Sequence, residues 1–241
     1  FFFFCYFKKK APLQHWMWEF ANELEHSGMC TCPENVAFVF ADNKPNVQHR
    51  LIERSYEKCN RQTCHYFHVA KDYHPWDWYG KLGPLNKLVY DDPTFLKRFD
   101  YLVLTDADDQ TLTRSPHDIV ERFLSYDCDI LLAGEATSYP HWMAQESAFE
   151  NQCSPWSRHH QHVNAGGLMI KLSAFRPYLD YIDRDYKNFT IMRASEIAET
   201  GKNRWRDQTC WRQMLLRFYP RMKVDSLAKI WTRVDIFLND L

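Results

Sequence analysis

Three carboxylates, Asp106, Asp108 and Asp109, crowd together directly behind the apolar run Tyr101-Leu102-Val103-Leu104-Thr105. Like charges held that close repel, so a compensating cation is expected, and hard carboxylate oxygens suit Mn2+ or Mg2+. If the apolar run is a buried strand, the acids emerge at its carboxyl end, where open α/β sheets place their ligands. A divalent ion held by Asp106, Asp108 and Asp109 would bridge to a diphosphate and stabilise charge on a departing nucleotide. The bland alternative is a solvated acidic turn. The apolar run in front, and its position in mid-chain, favour metal ligation.

Two further constellations could work with that cluster. Asn164-Ala165-Gly166-Gly167 precedes the apolar residues Leu168 to Ile170 in a chain with only seven glycines. Adjacent glycines mark either a tight turn or a place where a ligand approaches the backbone closely. Asn164 offers an amide to a sugar hydroxyl. Arg206-Asp207-Gln208 stands where a helix begins. There Asp207 is either an N-terminal cap that offsets the helix dipole or a carboxylate that orients or deprotonates an attacking hydroxyl. Trp76, Trp78, Tyr139 and Trp142 supply flat faces for stacking, although a place in the core explains each as well. His159 and His160 beside Arg158 read as a solvated loop, with phosphate contact the alternative.

The elements needed to position these groups are visible in the hydrophobic pattern. Val36 to Phe40 is a continuous apolar run that ends at Ala41-Asp42-Asn43; residues 47–59 carry Val47, Leu51, Ile52 and Tyr56 on one helical face; His65 to Val69 forms the next strand. Strand, helix, strand in that order is a parallel βαβ unit. A loop over 71–83 leads into a helix over 81–92, and the acidic strand 100–105 follows. A helix over 115–125 and a strand from Asp129 to Ala133 come next. An irregular stretch from Glu135 to His162 then precedes a turn into the Leu168–Ile170 strand. Helices over 173–186 and 205–218 and a short strand from Lys223 close the pattern. Residues 11–28 read as a further helix, punctuated by Ser27-Gly28.

Composition sets the bounds. The 241 residues can bury one large core, and 30 Lys and Arg against 31 Asp and Glu leave no field for general polyanion binding, so nucleic acid is not an expected partner. Eight cysteines leave disulfides open. Cys30-Thr31-Cys32 has the wrong spacing for a zinc knuckle. Asn188-Phe189-Thr190 is a formal N-glycosylation sequon. The opening Phe1 to Phe7 run before Lys8, Lys9 and Lys10 is too short to span a bilayer, which takes about 20 residues. It reads as the remnant of a membrane anchor or as a buried strand. The division is therefore an N-terminal segment over 1–30 and one α/β domain over 31–241.

Taken in order, these motifs resemble nucleotide-sugar glycosyltransferases of the GT-A fold, most of all the glycosyltransferase domain of procollagen lysyl hydroxylases and the related procollagen galactosyltransferases. The family's acidic strand end is matched by Thr105-Asp106-Ala107-Asp108-Asp109, and its Ala-Glu-x-x-x-Trp/Tyr-Pro segment by Gly134-Glu135 through Tyr139-Pro140. Its Leu-Asn-Ser-Gly-Gly is matched by Val163 to Gly167, and its Asp-Asp-Gln by Arg206-Asp207-Gln208. A late Leu-Asp-x-x-x-x-Ile-Phe pattern corresponds to Val224-Asp225 through Ile230-Trp231. The resemblance spans residues 36–231. It departs at Ser226, where some members have a metal-binding His, and at Ala165 and Arg206.

The resemblance implies a single Rossmann-like domain with a mixed, mainly parallel central sheet flanked by helices. It implies Mn2+ or Mg2+ on Asp106, Asp108 and Asp109, with Asp225 as a further ligand. Ala41, Asp42 and Lys81 would lie near the nucleotide, Asn164, Gly166 and Gly167 near the donor sugar, and Asp207 would be the catalytic carboxylate. The expected chemistry moves galactose or glucose from a UDP-sugar to a hydroxyl acceptor on protein or glycan, such as hydroxylysine. The expected compartment is the lumen of the endoplasmic reticulum or Golgi, with a cytoplasmic location left open. Three rivals stand beside this reading. A haloacid dehalogenase-like phosphatase needs Thr or Val where Gln110 stands. The others are a nucleotidyltransferase and a binding module without turnover.

Overall fold

The computed structural model describes residues 32–41, 64–70, 81–106, 110–112, 116–154, 159–186 and 207–233. The expected N-terminal helix, the anchor segment, the helix over 47–59 and the loop over 71–80 lie outside them.

The first strand, β1 (Val36–Ala41), is buried along its whole length. Its alternate residues enter two different cores. Ala37, Val39 and Ala41 join Leu82, Leu85 and Val89 of α1 (Leu82–Tyr90) and Trp211, Met214 and Leu215 of α6 (Asp207–Phe218). Val36, Phe38 and Phe40 point the other way, toward Ile119 and Phe123 of α3 (Ile119–Leu124) and toward Trp231. A strand covered on both faces must be apolar at every position, which is why the sequence shows a continuous run rather than alternation.

The main sheet has six strands in the order β2-β1-β3-β6-β5-β7. They are β2 (His65–Val69), β3 (Tyr101–Thr105), β5 (Ile130–Glu135), β6 (His162–Lys171) and β7 (Met222–Val224) beside β1. β1 pairs in parallel with both β2 and β3, and β5 pairs in parallel with β7. β6 runs against both of its neighbours, β3 and β5. The sheet is thus mixed and mainly parallel, flanked by helices, as expected for a GT-A-like domain. Two short strands, β4 (Gln110–Leu112) and β8 (Trp231–Arg233), form a separate antiparallel pair.

The structure corrects the sequence reading in places. The stretch from Glu135 to His162 is not wholly irregular: α4 (Ala144–Cys153) lies within it. The expected helix over 173–186 is a composite of a 3₁₀ turn at Leu172–Ala174, α5 (Arg176–Tyr181) and a π turn at Ile182–Tyr186. A short helix, α2 (Phe95–Arg98), lies between α1 and β3. Cys32 and Cys64 form a disulfide with Cα atoms 5.0 Å apart, tying together the amino ends of the neighbouring β1 and β2. Among the described residues no helix is long and apolar enough to cross a membrane.

Candidate active site

The topology brings strand ends from different parts of the chain to one edge. β3 and β5 deliver their carboxyl ends there, and β6, because it is reversed, delivers its amino end. Asp106 follows directly on β3, and its N–H donates to the carbonyl of Gly166 at 2.6 Å. Its carboxylate Oδ2 accepts from Lys81 Nζ at 2.6 Å. Lys81 immediately precedes α1, so its backbone is set by the helix while its side chain reaches the sheet edge.

The same ammonium lies 2.8 Å from Oδ2 of Asp207, the first residue of α6. Oδ1 of Asp207 accepts the N–H of Gln208 at 2.9 Å. One oxygen thus satisfies a helix-terminal N–H, and the other pairs with Lys81. Side-chain exposure is 12% for Lys81, 25% for Asp106 and 18% for Asp207, so the trio is sheltered but reachable. Burial by itself would lower the Lys81 pKa. The charges of Asp106 and Asp207, and their hydrogen bonds, more than reverse this and hold it above the usual lysine range, so the ammonium is charged at neutral pH.

A ring of amides and one more carboxylate completes the site. Asn164 Oδ1 accepts the Gly166 N–H at 2.6 Å, and its Nδ2 donates to Glu135 Oε2 at 3.2 Å. Gln208 Nε2 donates to Glu135 Oε1 at 2.6 Å and to the carbonyl of Tyr139 at 2.9 Å. Its Oε1 accepts the Ala165 N–H at 3.3 Å. Bonds thus run from Lys81 through Asp106, Gly166, Asn164, Glu135 and Gln208 to Asp207, whose ion pair returns to Lys81. Glu135 and Gln208 are site residues that the sequence reading passed over as mere parts of motifs. Their signal was adjacency: each stands next to, or at the end of, a stretch already singled out.

The glycine pair is placed differently from either reading. Gly166 and Gly167 lie within β6, not in a turn. The register of β5 against β6 shifts between Leu132 and Ala133, from Leu132 opposite Leu168 to Ala133 opposite Asn164. Ala165, Gly166 and Gly167 are the residues this irregularity accommodates, and glycine suits such a place. A Cβ on Gly167 would stand 2.9 Å from the Ala133 Cβ and 3.0 Å from the Trp231 ring. The space expected for a donor sugar at Gly167 is therefore filled by the Trp231 indole. Gly166 contributes backbone groups only.

Asp225 also departs from its expected role as a metal ligand. It is 1% exposed, and both oxygens are engaged by protein donors. Oδ1 accepts from the Tyr126 hydroxyl and from the Lys229 N–H at 2.8 Å. Oδ2 accepts the N–H groups of Ile230 at 2.8 Å and Trp231 at 3.1 Å. A cation would have to displace these donors, so the carboxylate serves the turn between β7 and β8. Burial, and then the Asp225 charge, push the Tyr126 hydroxyl above its ordinary pKa and keep it a donor.

Of the remaining expected residues, Ala41 is the buried last residue of β1. Asp42, Asp108, Asp109, Trp76, Trp78, Arg158 and Arg206 lie outside the described residues. Tyr139 and Trp142 are 36% and 42% exposed on the segment after β5. His160 Nδ1 lies 3.2 Å from the carbonyl of Gly134, so it belongs to the local backbone. Burial, and secondarily Asp207, push the Cys210 thiol well above its ordinary value, which leaves it inert beside the site. Among the described residues no group of three His, Cys, Asp or Glu side chains is arranged to hold a metal.

No protein-family model and no curated protein matches this chain. Among solved structures it is similar to mouse xyloside xylosyltransferase 1 in its apo form, with a TM-score of 0.40 and 12% identity over 83% of this chain and 79% of that chain. At that distance the likeness says nothing about activity.

Proposed function

We propose that this chain transfers a sugar from a UDP-sugar to a hydroxyl acceptor. One observation carries the reading. Asp106, Asn164 with Gly166, and Asp207, singled out from separate stretches of sequence, meet at the edge of the sheet where α/β folds bind ligands: Lys81 bridges the two carboxylates, and the Asp106 N–H joins Gly166 and through it Asn164.

In this reading the Lys81 ammonium orients both carboxylates and supplies positive charge beside the diphosphate. Asp207 faces the acceptor. The acceptor oxygen bonds to the anomeric carbon as the bond to the diphosphate oxygen breaks, and UDP departs with the bonding pair. If the reaction inverts configuration, Asp207 takes the hydroxyl proton; if it retains, no enzyme base is needed in that place and the departing diphosphate oxygen takes it. The metal reading rests on Asp106 together with Asp108 and Asp109, whose hard oxygens fit Mn2+ or Mg2+. Such an ion would neutralise charge building on the diphosphate. The resemblance to procollagen glycosyltransferases makes galactose or glucose the first sugars to try and hydroxylysine a first acceptor. The Cys32–Cys64 disulfide supports a secretory compartment.

The test is UDP release from a panel of UDP-sugars, with and without Mn2+, comparing wild type with Asp106→Asn/Asp108→Asn. Turnover should require the metal and fall by about 100-fold or more in the variant. Equal rates in the two proteins would overturn the proposal. Free phosphate as product would indicate the phosphatase, and pyrophosphate from a nucleoside triphosphate the nucleotidyltransferase.

A further inference from the structure

Behind the candidate site lies a second polar cluster, wholly buried, that the proposed reaction leaves unused. Arg212 stands one turn beyond Gln208 on α6, and Glu150 stands in α4; each is 1% exposed. The guanidinium grips both carboxylate oxygens, with Nε donating to Oε1 at 2.7 Å and Nη2 to Oε2 at 2.9 Å. His162, the first residue of β6, places Nδ1 2.8 Å from the same Oε2. An ionised carboxylate can only accept, so Nδ1 carries the proton and Nε2 accepts from Gln161 Nε2 at 3.1 Å. The other Arg212 donors reach out of the cluster, Nη1 to the carbonyl of Pro140 at 3.2 Å and Nη2 to Ser138 Oγ at 3.0 Å.

A buried ion pair is a poor source of stability, because desolvation offsets most of the attraction. What the fork does supply is direction. It holds the Ser138 hydroxyl and the Pro140 carbonyl, while Gln208 holds the carbonyl of Tyr139 between them and the carboxylate of Glu135. The same helix presents Asp207. Lys81 and Asp106 belong to the β3 end of the site, and the 138–142 segment hangs from β5, on the far side of β6.

We infer that Arg212, locked by Glu150 and His162, is a positioning residue that holds the 138–142 segment as a preformed wall for the acceptor. This rests on the glycosyl-transfer reading above. A wall fixed in advance spares the acceptor the ordering cost that a loose segment would impose on binding.

Arg212→Ala alone strands Glu150, so the decisive variant is the paired Arg212→Met/Glu150→Leu, which removes both charges and keeps the volume. Two measurements on the full chain decide the matter. Hydrogen exchange over residues 136–143 should quicken about tenfold or more while β3 and β5 stay protected. The KM for acceptor should rise about tenfold, whereas the KM for donor and the slow release of UDP to water should stay within about twofold. Arg212→Lys keeps the charge without the fork and should fall between; if the paired variant does not fold, it carries the same two readings. Wild-type exchange in a folded variant overturns the clamp. Faster exchange with an unchanged acceptor KM overturns its link to the acceptor. If wild type releases no UDP from any donor, the proposed function fails and that link falls with it, while the exchange data still report on the clamp.

Discussion

Removing the Lys81 ammonium would leave Asp106 and Asp207 facing each other across a gap that it now bridges at 2.6 and 2.8 Å. Lys81→Met should therefore abolish most activity and cost about 1–3 kcal/mol of stability, the usual range for unpairing a sheltered polar group. The pH dependence follows from the direction of the Lys81 shift. Its folded pKa is raised, so its contribution is fully present below the ordinary lysine value of about 10.4 and is lost only as pH rises through the folded value above that. The difference in Tm between wild type and Lys81→Met should accordingly stay constant from about pH 6 to pH 9. A difference that shrinks across that window would contradict the charge assignment. At this scale the sequence was most informative where a residue type had few uses. Asp106 behind an apolar strand and Asp207 at a helix start both reach the site. It misled at Gly167, since a glycine that admits a neighbouring indole looks the same in sequence as one that admits a ligand.

Among the elements, the turn between β7 and β8 separates two roles that the sequence could not. Asp225 gathers three backbone N–H groups and a tyrosine hydroxyl. Asp225→Asn should lower stability by roughly 1.5–3 kcal/mol, as expected for hydrogen bonds to a charged group. The Mn2+ concentration that gives half-maximal activity should stay unchanged; a large rise in that concentration, at unaltered Tm, would return Asp225 to the metal. The strands β1, β3 and β5 were legible because burial on two faces demands unbroken apolar runs, and the half-buried edge strand β2 because its residues alternate. α4 was not, for a physical reason: its one fully buried residue is Glu150, and with Phe149 the half-buried apolar residue packed on the core, hydrophobic periodicity has little to register. β4 and β8 have three residues each, too few for any alternation to show.

Across the whole molecule, the disulfide and the reversed strand fix different things. Cys32–Cys64 joins residues 32 positions apart and pins the β1–β2 edge of the sheet. Replacing both cysteines with serine should lower global stability by about 3–4 kcal/mol, the loop-closure value for that separation. Thermal melting of the variant, set against wild type with and without reductant, checks this; melting that is indifferent to both changes would deny the bond any structural weight. The mixed architecture was foreseeable from the motif order, but the ring of contacts around the site was not. It depends on Gln208 of α6 and Glu135 of β5 meeting although they lie far apart in sequence.

β6 is the seam of this protein. On one side lie β2, β1 and β3 with Lys81 and Asp106; on the other lie β5 and β7, with Glu135 at the end of β5. Each group is parallel within itself, and among the described residues the reversed strand is what stitches one to the other in the sheet. A chain that stops short of His162 thus holds the β2-β1-β3 group with a bare, apolar β3 margin and β5 without a partner strand, prone to zip onto other chains. Through that strand the Lys81–Asp106 pair and Glu135 come to share one sheet edge, so closing the sheet and gathering the site are parts of the same assembly.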